Sequence, residues 1–199
     1  MKRSVYRAIQ KVCVIVFLLS IVIVWGLGCS SPLSEMKDIF NLRIYPSSLE
    51  IEVSKEDTVS VWTDGANRLI AARFTISFDT SLIEVVNVVT SGEGFFFYDE
   101  GAEVIELENI VDNEKGLIIV GIGAHEPGFF GVEGSGLLAD IIIKAKNAGT
   151  DTLSFVDEQP DDIVTSNYSV SSETGWKEEP VATFDGVVTV TETKKRTNQ

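Results

Sequence analysis

Basic side chains, sulfur and histidine are all scarce in this chain of 199 residues, and each shortage narrows what it can do. Sixteen Lys and Arg stand against 30 Asp and Glu, a formal net charge of −14. So acidic a surface argues against nucleic acid as a partner, because that binding rests on basic side chains neutralising phosphates. It argues equally against adhesion to anionic lipid, so any membrane association needs an anchor. The two cysteines are Cys13 and Cys29, and Cys13 sits inside an apolar run. An exported chain beginning at Cys29 therefore has no disulfide and relies on its core alone. The one histidine, His125, has no histidine or cysteine companion to share a zinc ion. No G-x-S-x-G elbow accompanies a serine. We assign no catalytic group, metal or cofactor and read a non-enzyme.

What the N-terminus has is a basic start and a long apolar run. Lys2, Arg3, Arg7 and Lys11 precede the uncharged stretch 12–28, the pattern of an export signal or a membrane anchor. Cys29, followed by Ser30-Ser31-Pro32, resembles the lipidated cysteine of bacterial lipoproteins, with Gly26 where Leu or Val is usual. Lipidation at Cys29, a retained anchor and ordinary cleavage all remain open. Each places the rest of the chain outside the cytoplasmic membrane. Loss of 1–28 removes four basic residues and no acid, moving the formal charge from −14 to −18.

Beyond a polar tether at 29–41, the chain alternates with period two, and no segment shows helical period. In Leu69–Val89, Ile70, Ala72, Phe74, Ile76 and Phe78 alternate with Ala71, Arg73, Thr75, Ser77 and Asp79, which predicts a strand with one apolar face. Asp79-Thr80-Ser81 then supplies side-chain oxygens for a sharp corner, and Ile83 and Val85 open a second strand. Further strands are expected at Leu42–Val53, broken by Pro46, and at Thr58–Thr63. The others are placed at Gly101–Ile110, Leu117–Ala124, Leu137–Lys146, Thr152–Val156, Asp162–Ser169 and Val181–Thr191. Eight to ten strands at this spacing predict an all-β sandwich over 42–191, with 192–199 as a polar tail.

Four pieces of this order resemble the cohesin family, the receptor modules of cellulosomes and of other bacterial and archaeal surface proteins. They are SKEDTVSV at 54–61, ARFTISFDTSLIEVVNV at 72–88, GLIIVGIGA with GSGLLADIIIKAK at 116–146, and FDGVVTV at 184–190. The resemblance implies a nine-stranded jelly-roll sandwich that binds the calcium-loaded dockerin module of another protein, in assemblies that break down polysaccharide. It implies a contact surface on one sheet, including the outward side of the central strand, here Ala71, Arg73 and Thr75. Cohesins of the best-known type carry Asn and Asp at the positions of Ala71 and Arg73, so this face departs from theirs.

A partner is therefore expected on Arg73 and Thr75, on Val120 and Ile122 of the neighbouring strand, and on His125 and Glu126 at the rim. Apolar residues left uncovered on a sheet commonly mark an interaction site. The competing reading is that Pro127–Val132 folds back and covers Val120 and Ile122 with Phe129 and Phe130. Two other functions stay open. An exposed strip of Trp62, Tyr98 or Trp176 would favour a carbohydrate-binding module; otherwise the domain is a structural or adhesion sandwich without a dockerin. The acids Asp157, Glu158, Asp161 and Asp162 lack the spacing of a calcium loop and read as solvated.

Overall fold

The alternating runs beyond residue 40 pair with neighbours in the computed structural model, which describes residues 40–124, 130–157, 163–168, 176–178 and 181–192. These residues belong to one unit, Asp38–Gln199. The strands are β1 (Asn41–Tyr45), β2 (Ser48–Glu52), β3 (Glu56–Ser77), β4 (Ile83–Val89), β5 (Val104–Asp112) and β6 (Leu117–Ala124). They continue as β7 (Val132–Ala145), β8 (Gly149–Val156), β9 (Ile163–Tyr168), β10 (Trp176–Glu178), β11 (Ala182–Phe184) and β12 (Gly186–Thr191). One helical turn, Phe96–Asp99, buries Phe96 and Phe97.

The architecture is nearly all β, an open sheet consistent with a cohesin-type sandwich. Twelve strands are described where the family pattern implies nine, because short pieces separate. Pro46 divides the first run into β1 and β2, and Asp185 divides the last into β11 and β12. These two breaks work together. β11 runs parallel beside β1, and β12 runs parallel beside β2, so both ends of the domain change neighbours at one level. A Cβ on Gly186 would come within 2.5 Å of Ile44 Cγ2, so only glycine allows the approach there.

The expected strands at Thr58–Thr63 and from Leu69 are one strand, β3. It stays continuous because irregularities between Val61 and Leu69 absorb the bend. Its first half lies between β7 and β1, and its second half between β6 on one edge and β9 then β8 on the other. Both halves send side chains to one core: Val59, Val61, Ala72, Phe74 and Ile76 from β3, with Ile141 and Ile143 from β7. Phe74 is fully buried and meets Phe155 edge-on, ring centroids 6.2 Å apart. Phe40 is also buried, so the domain starts two residues before the expected Leu42.

The corner after β3 is built as its sequence implies. The Asp79 carboxylate accepts from the Ser81 backbone N–H at 2.8 Å and from its hydroxyl at 2.6 Å. Those bonds, the hydroxyl first, hold the Asp79 carboxyl below its ordinary value. Among the described residues no helix is long and apolar enough to cross a membrane. The apolar run 12–28 and Cys29 lie outside them.

Candidate protein-binding face

The hairpin of β5 and β6 sets the geometry of the face. Asp112 accepts the backbone N–H groups of Glu114 and Lys115 and the Lys115 ammonium, the last at 2.9 Å. Gly116 closes the turn at φ +70°, where a Cβ would lie 2.1 Å from the Phe78 carbonyl oxygen. The register that follows places Ile110 opposite Ile119, Glu108 opposite Gly121 and Ile105 opposite Gly123. β6 in turn places Ile119 opposite Thr75, Gly121 opposite Arg73 and Gly123 opposite Ala71. Rows of outward side chains therefore run from β5 across β6 to β3.

Two glycines form the middle of those rows. Over Gly121, Arg73 Nε donates to Glu108 Oε2 at 2.5 Å, so the two side chains bridge β6 from either side. A Cβ at 121 would sit 3.3 Å from Glu108 Cβ, crowding that bridge. Around the ion pair the surface is aliphatic: Leu107 is 63% exposed, Ile110 49% and Ile105 40%.

β5 is thus inverted. Ile105, Leu107 and Ile110 face outward while Val104 and Val111 at its ends pack against the core, and Glu106 and Asn109 turn to the edge where β4 approaches. Glu106 accepts from the Thr90 hydroxyl at 2.6 Å and from Asn109 Nδ2 at 3.0 Å. The same Asn109 amide donates to the Val88 carbonyl, and Asn113 both donates to the Val85 carbonyl and accepts its N–H, each at 2.9 Å.

Of the residues expected on this face, Arg73 is there, half-buried in its ion pair. Thr75 is on the adjacent row, opposite Ile119, but is 3% exposed, and its Oγ1 has no hydrogen-bond partner among the described residues. Val120 and Ile122 are a correction. They are core residues, at most 1% exposed, and the outward positions of β6 are Ile119, Gly121 and Gly123. The phase was misread because LIIVGIGA is apolar on both faces, and small glycines outward leave the branched residues for the core. A fold-back of 127–132 over Val120 and Ile122 is thereby removed as well. His125, Glu126 and Phe129 lie outside the described residues.

Sequence reasoning missed Ile105, Leu107 and Ile110. The signal was VIELENIVD itself, in which alternation normally reads as apolar side inward; only the register to the glycines reverses it. Of the acidic cluster, Asp157 is exposed and Glu158, Asp161 and Asp162 lie outside the described residues. No group of three metal-capable side chains occurs among the described residues. Of the expected aromatic strip, Tyr98 is 52% and Trp62 37% exposed, on different elements.

No family model matches the chain, and no curated protein matches its sequence. Solved structures do. The seventh ScaB type I cohesin from Pseudobacteroides cellulosolvens aligns at a TM-score of 0.60 and 17% identity, over 81% of this chain and 97% of that one. A non-cellulosomal cohesin from the archaeon Archaeoglobus fulgidus aligns at 0.54 and 17%, over 77% and 91%. A type I cohesin–dockerin complex from Clostridium thermocellum aligns at 0.58 and 11%, over 78% and 95%. Likeness at this identity speaks to architecture, and the architecture of this chain is cohesin-like.

Proposed function

We propose that this chain is a non-catalytic receptor module that docks a dockerin-type protein on the outward face of β5, β6 and the second half of β3. The observation that carries the reading is the inversion of β5. Ile105, Leu107 and Ile110 contribute nothing to the core, and three large aliphatic side chains side by side in water are retained for a contact. Gly121 is buried beneath the Arg73–Glu108 bridge and Gly123 lies close under Leu107, and the ion pair leaves the centre of the face neutral. The cohesin-like fold supports the same partner class, since one matched structure is a cohesin–dockerin complex. His125 and Glu126 remain proposed rim residues. The module would be held outside the cytoplasmic membrane through Cys29 or the apolar segment before it, a placement that rests on sequence alone.

Leu107→Asp tests the face, because an unpaired carboxylate in a desolvated contact costs several kcal/mol. The variant should melt with the wild type yet lose calcium-dependent capture of dockerin-bearing proteins. Undiminished capture would remove β5 from the site. Labelled palmitate should enter the wild type and not Cys29→Ser; equal incorporation removes the lipid anchor.

A further inference from the structure

We propose a second binding site, on the outward face of β11, β1 and the first half of β3, that takes a neutral, extended polysaccharide chain. It does not rest on the docking reading above. Leu42 and Ile44 of β1 and Val61 and Thr63 of β3 point into the core. Arg43, Tyr45, Trp62 and Asp64 therefore stand on the opposite side. Register places Phe184, Arg43 and Trp62 in one row across three strands. Phe184 is 53% exposed and Trp62 37%, and Tyr45, two residues along β1, is 62% exposed. With neighbouring strands about 4.8 Å apart, the backbones that carry Phe184 and Trp62 lie roughly 10 Å apart.

Fixed polar groups fill the spaces between the rings. The Arg43 guanidinium lies over the Phe184 ring, 5.7 Å from its centroid, and pairs with Asp64 at 2.5 Å. In the next row, opposite Tyr45, Ser60 donates to Asp140 at 2.5 Å. A pyranose has an apolar C–H face and a rim of hydroxyls. Aromatic rings take the first, and oriented carboxylates and guanidinium take the second through charge-assisted hydrogen bonds. Trp, Tyr and Arg also anchor protein contacts. A protein contact of the kind proposed above has aliphatic side chains around its ion pair, whereas the exposed large residues around Arg43–Asp64 are the rings of Tyr45, Trp62 and Phe184. A sugar leaves these groups hydrated and adds hydroxyl partners. The net charge of −14 further favours an uncharged ligand over an acidic one.

The test is affinity electrophoresis of the full-length protein in gels containing hydroxyethylcellulose, xylan or galactomannan. At least one should retard the wild type. Trp62→Ala and Phe184→Ala should each weaken that binding about tenfold, or about 1.4 kcal/mol. Phe184 lies half in water on a three-residue strand, so its truncation keeps the fold and decides alone if Trp62→Ala melts early. No retardation by any of the three polysaccharides, or equal retardation of wild type and Phe184→Ala, overturns the proposal. So does loss of dockerin capture in these variants with glycan binding unchanged, which assigns the face to a protein.

Discussion

The two outward faces of β3 differ although one strand supplies both. Along its second half the neighbours are aliphatic and glycine, around a single ion pair. Along its first half they are aromatic, with paired charges between the rings. The irregularities between Val61 and Leu69 separate the two, with Arg68 in the left-handed region at φ 58°. A long strand thus presents two chemistries because its pairing partners change midway, while its inner side serves one core throughout.

The shared core is where the largest effect is expected. Phe74→Ala empties an aromatic site with no exposure and should destabilise by about 3–5 kcal/mol, disturbing both faces together. Ile110→Ala, on the aliphatic face, should stay within about 0.5 kcal/mol. Urea titration of the pair measures the contrast; similar losses would mean that Ile110 belongs to the core. Next comes the ion pair at the centre of that face. Arg73→Ala and Glu108→Ala should each cost under about 1 kcal/mol, since both side chains keep solvent contact. A double-mutant cycle should recover a coupling of about 0.5 kcal/mol that fades with salt, and additive losses would show that the bridge contributes nothing.

The smallest effect is one of pH, and it has opposite signs at two aspartates that touch. Asp151 Oδ2 accepts the Asp79 N–H at 2.8 Å. Burial raises the Asp151 carboxyl, outweighing the Asp79 and Thr152 N–H groups that lower it, and the Asp79 charge adds a smaller rise. A raised acid contributes stability while protonated and loses it as pH climbs through its folded value. Asp151→Asn should therefore melt slightly above wild type at neutral pH and converge with it in acid. Asp79, lowered chiefly by the Ser81 hydroxyl, contributes above the ordinary carboxylate range and loses that contribution as pH falls through its folded value. Asp79→Asn should accordingly melt below wild type at neutral pH and converge in acid. Melting curves against pH check both, and parallel curves would contradict the assigned shifts.

Much of this fold was legible where alternation was clean. Ala72, Phe74 and Ile76 face inward as the pattern of ARFTIS predicts, and Asp79 builds its corner with the oxygens its sequence offers. Legibility failed where both phases of a strand are apolar. Val120 and Ile122 could be exchanged with Ile119 without breaking any rule of periodicity, and only β5 and β3 pairing decides. It failed again at β5, where local pattern and tertiary role disagree. The row of Phe184, Arg43 and Trp62 was out of reach because its two pairings join residues 19 and 141 positions apart, 62 − 43 and 184 − 43. Such rows exist only through register.

The side-chain amides beside β4 have one more consequence. A sheet that ends in a bare strand offers its unpaired N–H and C=O groups as a template for any passing extended chain. At Val85 both of those groups are already taken by Asn113, and at Val88 the carbonyl is taken by Asn109. Two asparagines thus occupy three of the backbone groups a foreign strand would need, which hinders recruitment of further copies along this margin.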